Sequence, residues 1–257
     1  MSELKFSVAE WCFRQSETNT GEFYREIYGF GYRAADFVPQ ERWAEARAAG
    51  LEIRNLGTPG MQNGLNRLEN HAQLIPAIRA AITTAKENRV PHVVVFSGNR
   101  TEGIGDEVGW ENCRLALEIL AKDAEAADVL LVLEMLNSFD HKDYQADSSK
   151  YGFDLVKAVG SPALSTLFDI YHLHRMGEDV LAVALENLSH IAHFHIAGSP
   201  ARDYPALDGE IDYRTILREI HAAGYRGYWG IEFLPRGEEV RTVLGRFIEE
   251  YGDSIPT

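Results

Sequence analysis

The chain has 257 residues, of which 45% are hydrophobic and 25% charged, the balance expected of a soluble globular protein. Its net charge of −14 argues against a nucleic-acid surface, since phosphate binding needs a basic face. The two cysteines, Cys12 and Cys113, fit no CxxC pattern, so we expect free thiols. The chain has neither a signal-peptide apolar region nor a run of about 20 apolar residues, so we expect a cytoplasmic protein without membrane contact.

Segments typical of strands and helices alternate along the whole chain. Continuous β-branched runs such as HVVVF at 92–96 predict buried strands, and Pro and Gly stand where helices should begin and end. The predicted strands are Lys5–Trp11, Arg33–Phe37, Leu51–Leu56, His92–Phe96, Val129–Glu134, Leu164–Asp169, His190–Ile196 and Gly227–Phe233. The predicted helices are Glu22–Tyr28, Pro39–Ala49, Arg67–Asn88, Glu107–Ala127, Ser149–Val159, Glu178–Leu188, Tyr213–Ala223 and Gly237–Tyr251.

This alternation predicts an α/β fold with a parallel sheet. Eight strand-helix units without a linker favour closure into a single (β/α)₈ TIM barrel, one domain over residues 1–257. The alternative is an open doubly wound sheet that binds a dinucleotide. No G-x-G-x-x-G follows the first strand, which weakens that alternative.

Four successive predicted strands end in a side chain that can bind a metal ion: Glu134, Asp169, His195 and Glu232. Residues two apart on a strand share a face, so the opposite faces, such as Leu131–Leu133–Met135, are apolar and suit packing beneath helices. The four ligand candidates should therefore point into the barrel at the carboxyl ends of its strands, where active sites of this fold lie.

Three carboxylates and one imidazole suit one divalent cation per chain, Mg²⁺ or Mn²⁺ before Co²⁺ or Zn²⁺. Any one of the acids alone is more often a salt-bridge partner or helix cap. His195 alone would be a hydrogen-bonded core histidine, as His193 is predicted to be. Taken together they indicate a metal site, in which two glutamates could move protons between neighbouring carbons, as in aldose–ketose isomerisation or epimerisation.

The motifs E-M-L-N (134–137), D-I-Y-H (169–172), H-F-H-I-A-G-S-P-A-R (193–202), G-E-I-D-Y (209–213) and I-E-F (231–233) resemble the hydroxypyruvate isomerase-like family of the xylose isomerase-like TIM barrel superfamily. The resemblance implies that Glu134, Asp169, His195 and Glu232 bind the metal. It also implies that the two glutamates are the acid/base pair and that His172 and Arg202 contact the substrate. At His195, classical hydroxypyruvate isomerases tend to have Gln, whereas ketose epimerases have His.

The sequence thus predicts a metal-dependent isomerase acting on a small hydroxy-aldehyde, hydroxyketone or keto acid. The alternatives are a ketose 3-epimerase, a non-catalytic sugar-binding barrel and, against the negative charge, an apurinic (AP) endonuclease. The expected partner is a small molecule, and a homodimer or homotetramer is possible for such barrels. Trp11, Phe13 and Phe96 lie at strand ends, where aromatic side chains are more often packing residues than sugar-stacking ones.

Overall fold

Strands and helices alternate along the computed structural model, which describes residues 4–14 and 20–254. The strands are β1 (Lys5–Ala9), β2 (Ala34–Asp36), β3 (Glu52–Ile53), β4 (Asn55–Gly57), β5 (His92–Val95), β6 (Leu130–Glu134), β7 (Leu164–Asp169), β8 (Ile191–Ile196) and β9 (Tyr228–Ile231). The α-helices are α1 (Glu10–Phe13), α2 (Thr20–Phe30), α3 (Trp43–Ala48), α4 (His71–Glu87), α5 (Asp106–Ala127), α6 (Ser149–Val159), α7 (Ile170–Arg175), α8 (Val180–Glu186), α9 (Tyr213–Ala222) and α10 (Val240–Tyr251). Short 3₁₀ turns precede α3, α4 and β8.

The described residues divide into two compact units. The first unit comprises the residues up to Arg54, Asp179–Leu188 and the residues from His193 onward, and its strands lie in the order β3-β2-β1-β9-β8. Its strand pairs are parallel, with Ser7 beside Ala34 on one side and beside Gly230 on the other. Parallel register brings the carboxyl ends of β1, β2, β8 and β9 to one edge of this sheet.

The second unit comprises Asn55–Glu178 and Ser189–Ala192. Its strands β4, β5, β6 and β7 pair in parallel in that order, with Val132 aligned to Val94 and to Ser165. All four residues of β5 are buried, as expected for a β-branched strand covered on both faces. The carboxyl ends of β6 and β7 therefore lie side by side.

The predicted strand Leu164–Asp169 has the same bounds in the structure, whereas the other predicted strands are shortened at one or both ends or divided. The strand predicted over Lys5–Trp11 ends two residues early, because Glu10 turns inward at the start of α1 and binds Arg42 and Tyr24. The strand predicted over Leu51–Leu56 is split into β3 and β4, which pair with different neighbours, β2 and β5. The described chain consequently has nine strands where eight were predicted.

Helix α6 has the bounds predicted for it, Ser149–Val159, whereas most other helices differ from their predicted bounds by one to four residues at an end. Ser148 caps α6 by accepting a hydrogen bond from the Tyr151 amide, and Gly160 ends that helix with a φ of 66°, a left-handed conformation that glycine adopts without strain. The short helix α7, which was not predicted, begins where the Asp169 carboxylate caps it. Cys12 and Cys113 are not joined in a disulfide bond, as predicted. Among the described residues, no helix is long and apolar enough to cross a membrane.

Candidate active site

Glu134 is the last residue of β6, and its side chain is buried, with 4% of its surface exposed. The strand end is held by Tyr144, whose hydroxyl donates to the Glu134 carbonyl (2.9 Å) and accepts from the Ser97 amide (3.1 Å). Two neighbouring segments therefore fix the backbone from which this carboxylate projects. A rigid strand end of this kind suits a group that must keep one position during a reaction.

Asp169 ends β7 and is buried, and its Oδ1 atom accepts from the His172 amide at 3.0 Å. This bond caps α7, the helix in which the fully buried His172 lies. The Asn137 amide donates to Nδ1 of His172 at 3.1 Å. Because that nitrogen accepts a hydrogen bond, the neutral imidazole carries its proton on Nε2, which lies 3.8 Å from Oδ2 of Asp169.

His195 lies near the end of β8 in the first unit, and its ring is fully buried. Its Nδ1 atom is 3.2 Å from Oε2 of Glu232, and its Nε2 atom is 3.6 Å from Oδ2 of Asp36. The same Asp36 oxygen accepts hydrogen bonds from Ser7 (2.7 Å) and from the His193 ring (3.0 Å). His193 is therefore the hydrogen-bonded core histidine that its sequence position predicts.

Glu232 directly follows β9 and continues its ladder, since its amide donates to the Ile196 carbonyl at 2.9 Å. The carboxylate accepts from the Trp11 indole at Oε1 (3.0 Å) and from the Arg202 guanidinium at Oε2 (2.5 Å). Arg202 has a positive φ of 54°, and its guanidinium lies over the Trp11 ring at 5.3 Å. One carboxylate thus contacts three types of hydrogen-bonding group, an indole, a guanidinium and an imidazole.

The charges of these buried groups depend on one another. Burial by itself would raise the pKa of Glu232, but His195 and Arg202 outweigh it and hold that pKa well below its usual range. Burial would lower the pKa of His195, but Glu232 and Asp36 outweigh it and raise that pKa well above its ordinary value. The negative potential that retains a proton on His195 is the same potential that would attract a metal cation in its place.

The donor set fits a divalent cation. Glu134 and Asp169 are buried in the second unit, and His195 and Glu232 are buried in the first. Three carboxylate oxygens and one imidazole nitrogen are ligands that Mg²⁺ and Mn²⁺ accept, and that Co²⁺ and Zn²⁺ also accept. Buried carboxylates in such numbers need a compensating positive charge, which a cation would provide.

Three contacts of the site were not predicted from the sequence. Asp36 was assigned no role, although it lies at a strand end like the four predicted ligands. Asn137 lies within the quoted E-M-L-N motif but was not linked to His172. Trp11 was placed near the site as a packing residue, whereas its indole N–H bonds Glu232 and 52% of its side chain is exposed.

The parallel strands, the alternating helices and the acidic and imidazole side chains at strand ends are typical of an α/β barrel enzyme scaffold. A family model described as "Xylose isomerase-like TIM barrel" matches residues 3–250. The chain belongs to the xylose isomerase-like TIM barrel family, and the predicted TIM-barrel class is confirmed. A solved structure titled as an AP endonuclease of family 2, from Brucella melitensis, has the same fold, with a TM-score of 0.82 at 20% identity, covering 98% of this chain and 100% of that one.

The relatives include proteins named for one activity. The chain is 27% identical to a putative hydroxypyruvate isomerase of Homo sapiens, over 93% of each protein. It is 32% identical to the hydroxypyruvate isomerase of Escherichia coli strain K12, over 49% of this chain and 47% of that protein. The resemblance stated from the motifs therefore extends to nearly the full length of a relative with that name.

Proposed function

We propose that the chain is a metal-dependent isomerase that interconverts a small hydroxy-aldehyde and hydroxyketone, or the corresponding keto acids, by proton transfer through an enediolate. The observation that carries this proposal is that two glutamates, Glu134 in the second unit and Glu232 in the first, are buried at the carboxyl ends of parallel strands. The names of the hydroxypyruvate isomerase relatives support the reaction class.

In this proposal Glu134, Asp169, His195 and Glu232 bind one Mg²⁺ or Mn²⁺ per chain. When bound, such a cation would act as a Lewis acid that polarises a substrate carbonyl and makes the C–H bond of the neighbouring carbon more acidic. The residues themselves provide the binding charge. Glu232, whose pKa is held below its ordinary value by His195 and Arg202, is ionised at neutral pH, as a metal ligand must be.

The two glutamates act as the acid/base pair. One carboxylate removes the proton from the carbon beside the carbonyl, and the electron pair of that C–H bond moves to form the enediolate. Return of a proton to the neighbouring carbon, together with proton transfer between the two oxygens, completes the isomerisation without a net change in atoms or electrons. Return of a proton to the same carbon from the opposite face would instead be epimerisation.

His172 and Arg202 are proposed as the substrate-binding residues. Because Nδ1 of His172 accepts from the Asn137 amide, the group that would donate to a substrate oxygen is Nε2–H. The planar guanidinium of Arg202 is suited to a carboxylate, which favours a keto acid over a neutral sugar. In the structure Arg202 forms an ion pair with Glu232. To bind the substrate, the Arg202 guanidinium would have to contact both groups or leave Glu232 for the substrate carboxylate.

Three alternatives remain distinguishable by experiment. A ketose 3-epimerase would use the same glutamate pair and the histidine at position 195, but would require a ketose instead of a keto acid. An AP endonuclease is disfavoured by the net charge of −14, and the structural likeness to a protein of that name shows only the fold. A sugar-binding barrel would bind ligand without exchanging any substrate proton. A homo-oligomer and a single domain over 1–257 stay predictions.

The test is a screen of three- to six-carbon keto acids and ketoses, beginning with hydroxypyruvate, in the presence of Mn²⁺ or Mg²⁺. We expect isomer formation from a keto acid, and a loss of about 10²-fold or more in kcat for Glu134→Gln and for Glu232→Gln. Wild-type turnover in both variants would refute the proposed roles. Epimer formation from ketoses alone would select the alternative enzyme.

A further inference from the structure

The Glu232 carboxylate has a hydrogen-bond donor at each of its oxygens, and both donors belong to the first unit. Oε2 accepts from the Arg202 guanidinium and lies 3.2 Å from Nδ1 of His195. Oε1 accepts from the Trp11 indole at 3.0 Å. The two oxygens are therefore distinguished by their partners, and the oxygen beside His195 is the one that faces a proposed metal ligand.

Packing alone does not account for the exposure and the contacts of Trp11. It lies in the one-turn helix α1, directly after β1, and 52% of its side chain is exposed although tryptophan is a large apolar residue. Its polar edge points to Glu232, and its ring face lies beneath the Arg202 guanidinium, 5.3 Å away. Edge and face thus each contact one functional residue, while much of the ring surface remains in contact with solvent.

We propose that Trp11 is a positioning residue for the acid/base group Glu232, a role that rests on the proposed function. Its indole N–H fixes Oε1 and so sets the rotation of the carboxylate, leaving Oε2 on the His195 side. Without this bond the carboxylate could rotate about its terminal torsion, which has a broad energy profile. A proton-transferring group needs its orientation fixed before the reaction, since small displacements reduce the rate strongly.

An indole suits this role better than the neighbouring cation. The indole N–H is only a donor and does not titrate at physiological pH, so it fixes the carboxylate without adding charge or exchanging a proton with it. Arg202 also binds Glu232, but in the proposed function it contacts the substrate as well. When Arg202 changes partner, Trp11 keeps Glu232 in place through the oxygen that Arg202 does not use.

The hydrogen bond can be tested in the full-length protein with ¹⁵N-labelled tryptophan. The Trp11 indole signal is identified by its loss in Trp11→Phe, which keeps an aromatic ring over which Arg202 can lie. We expect this signal to shift downfield through the bond to a carboxylate and to move upfield in Glu232→Gln. A Trp11 signal that does not respond to Glu232→Gln would overturn the inference.

The functional consequence is measured on Trp11→Phe. We expect kcat to fall about tenfold with KM changed less than about threefold, and the Mn²⁺ affinity to fall about tenfold, since Glu232 is also a proposed ligand. The matched control is Trp43→Phe, which removes another indole N–H, one that donates to the Val38 carbonyl at 2.7 Å. This control should lower thermal stability but leave kcat and the Mn²⁺ affinity unchanged.

The outcomes separate this inference from the proposed function. If wild type turns over a substrate and Trp11→Phe matches it in both kcat and Mn²⁺ affinity, the positioning role is wrong and the isomerase proposal stands. If wild type turns over no substrate, the proposed function fails and the Mn²⁺ affinity decides. Equal affinity in wild type and Trp11→Phe would then overturn the positioning role too, and a weaker affinity in the variant would support it.

Discussion

Replacement of Gly230 by alanine should damage the His195 region specifically. A Cβ atom at this position of β9 would lie 2.3 Å from Oδ2 of Asp36, 2.6 Å from the His195 ring and 2.8 Å from the His193 ring. Contacts this short force neighbouring atoms to move. The surrounding side chains are buried, and Asp36 already accepts hydrogen bonds from Ser7 and His193. None of them can move away from the added methyl group without breaking a contact.

The cost follows from overpacking and from the weakened bonds to Asp36. An extra methyl group in a packed interior costs about 1–3 kcal/mol. In a protein of this size, 1 kcal/mol corresponds to roughly 2–4 °C in the unfolding midpoint, so Gly230→Ala should lower the midpoint by roughly 2–12 °C. Displacement of the His195 ring should also weaken Mn²⁺ binding, because this imidazole is a proposed ligand.

The assay combines a thermal unfolding scan with a Mn²⁺ titration of the refolded, metal-free protein. Gly29→Ala is the matched control, because a Cβ atom there meets nothing within 4 Å and the residue lies in helix α2. That substitution should leave Mn²⁺ binding unchanged and raise stability slightly, since alanine is a better helix former than glycine. A Gly230→Ala protein with wild-type midpoint and wild-type Mn²⁺ affinity would refute the close packing around Asp36.

Three further predictions concern residues on the surface and in the proposed pocket. Asp212→Ala should lower the free energy of unfolding by about 1 kcal/mol, because it removes the cap of α9, whereas Asp212→Asn should keep most of that stability. The pKa of Asp212 is lowered, mainly by the bond from the Thr215 amide. In urea unfolding, the stability of wild type over Asp212→Asn should therefore be greatest above the ordinary Asp pKa and be lost as the pH falls through the lowered pKa. His172→Phe should reduce kcat about 10²-fold while Mn²⁺ affinity stays within about threefold. Arg202→Lys should raise KM for a keto acid more than for a ketose, and equal effects on both would contradict its role with the carboxylate.

The strand-helix order, and the placement of four ligand candidates at strand ends, could be predicted because each depends on local pattern. Glu134 and Asp169 are the last residues of buried strands and His195 is the last but one of its strand, and two-residue periodicity assigns their faces. Glu232 follows the same logic one residue beyond β9. Parallel strands then bring such ends to one edge of a sheet, so a local pattern predicts a tertiary arrangement.

The remaining contacts depend on pairs of residues far apart in the chain. Trp11 and Glu232 are separated by 221 positions, and Asp36 and His193 by 157, so no periodicity links either pair. Asp36 ends a strand of only three residues, too short for an alternating pattern to be visible. The split of the third predicted strand was likewise invisible, because β3 and β4 differ in their neighbours and not in their composition.

The most direct test of the central claim is proton exchange from the substrate. Metal-stripped enzyme and enzyme resupplied with Mg²⁺ are each incubated with hydroxypyruvate in D₂O, and the signals of the carbon-bound protons are followed by NMR. The proposed function predicts deuterium incorporation and isomer formation only with the metal, and their loss in Glu134→Gln. Two results would contradict metal-dependent proton transfer by this glutamate pair. One is exchange in the stripped enzyme at the rate of the resupplied enzyme, and the other is exchange at the wild-type rate in both Glu134→Gln and Glu232→Gln.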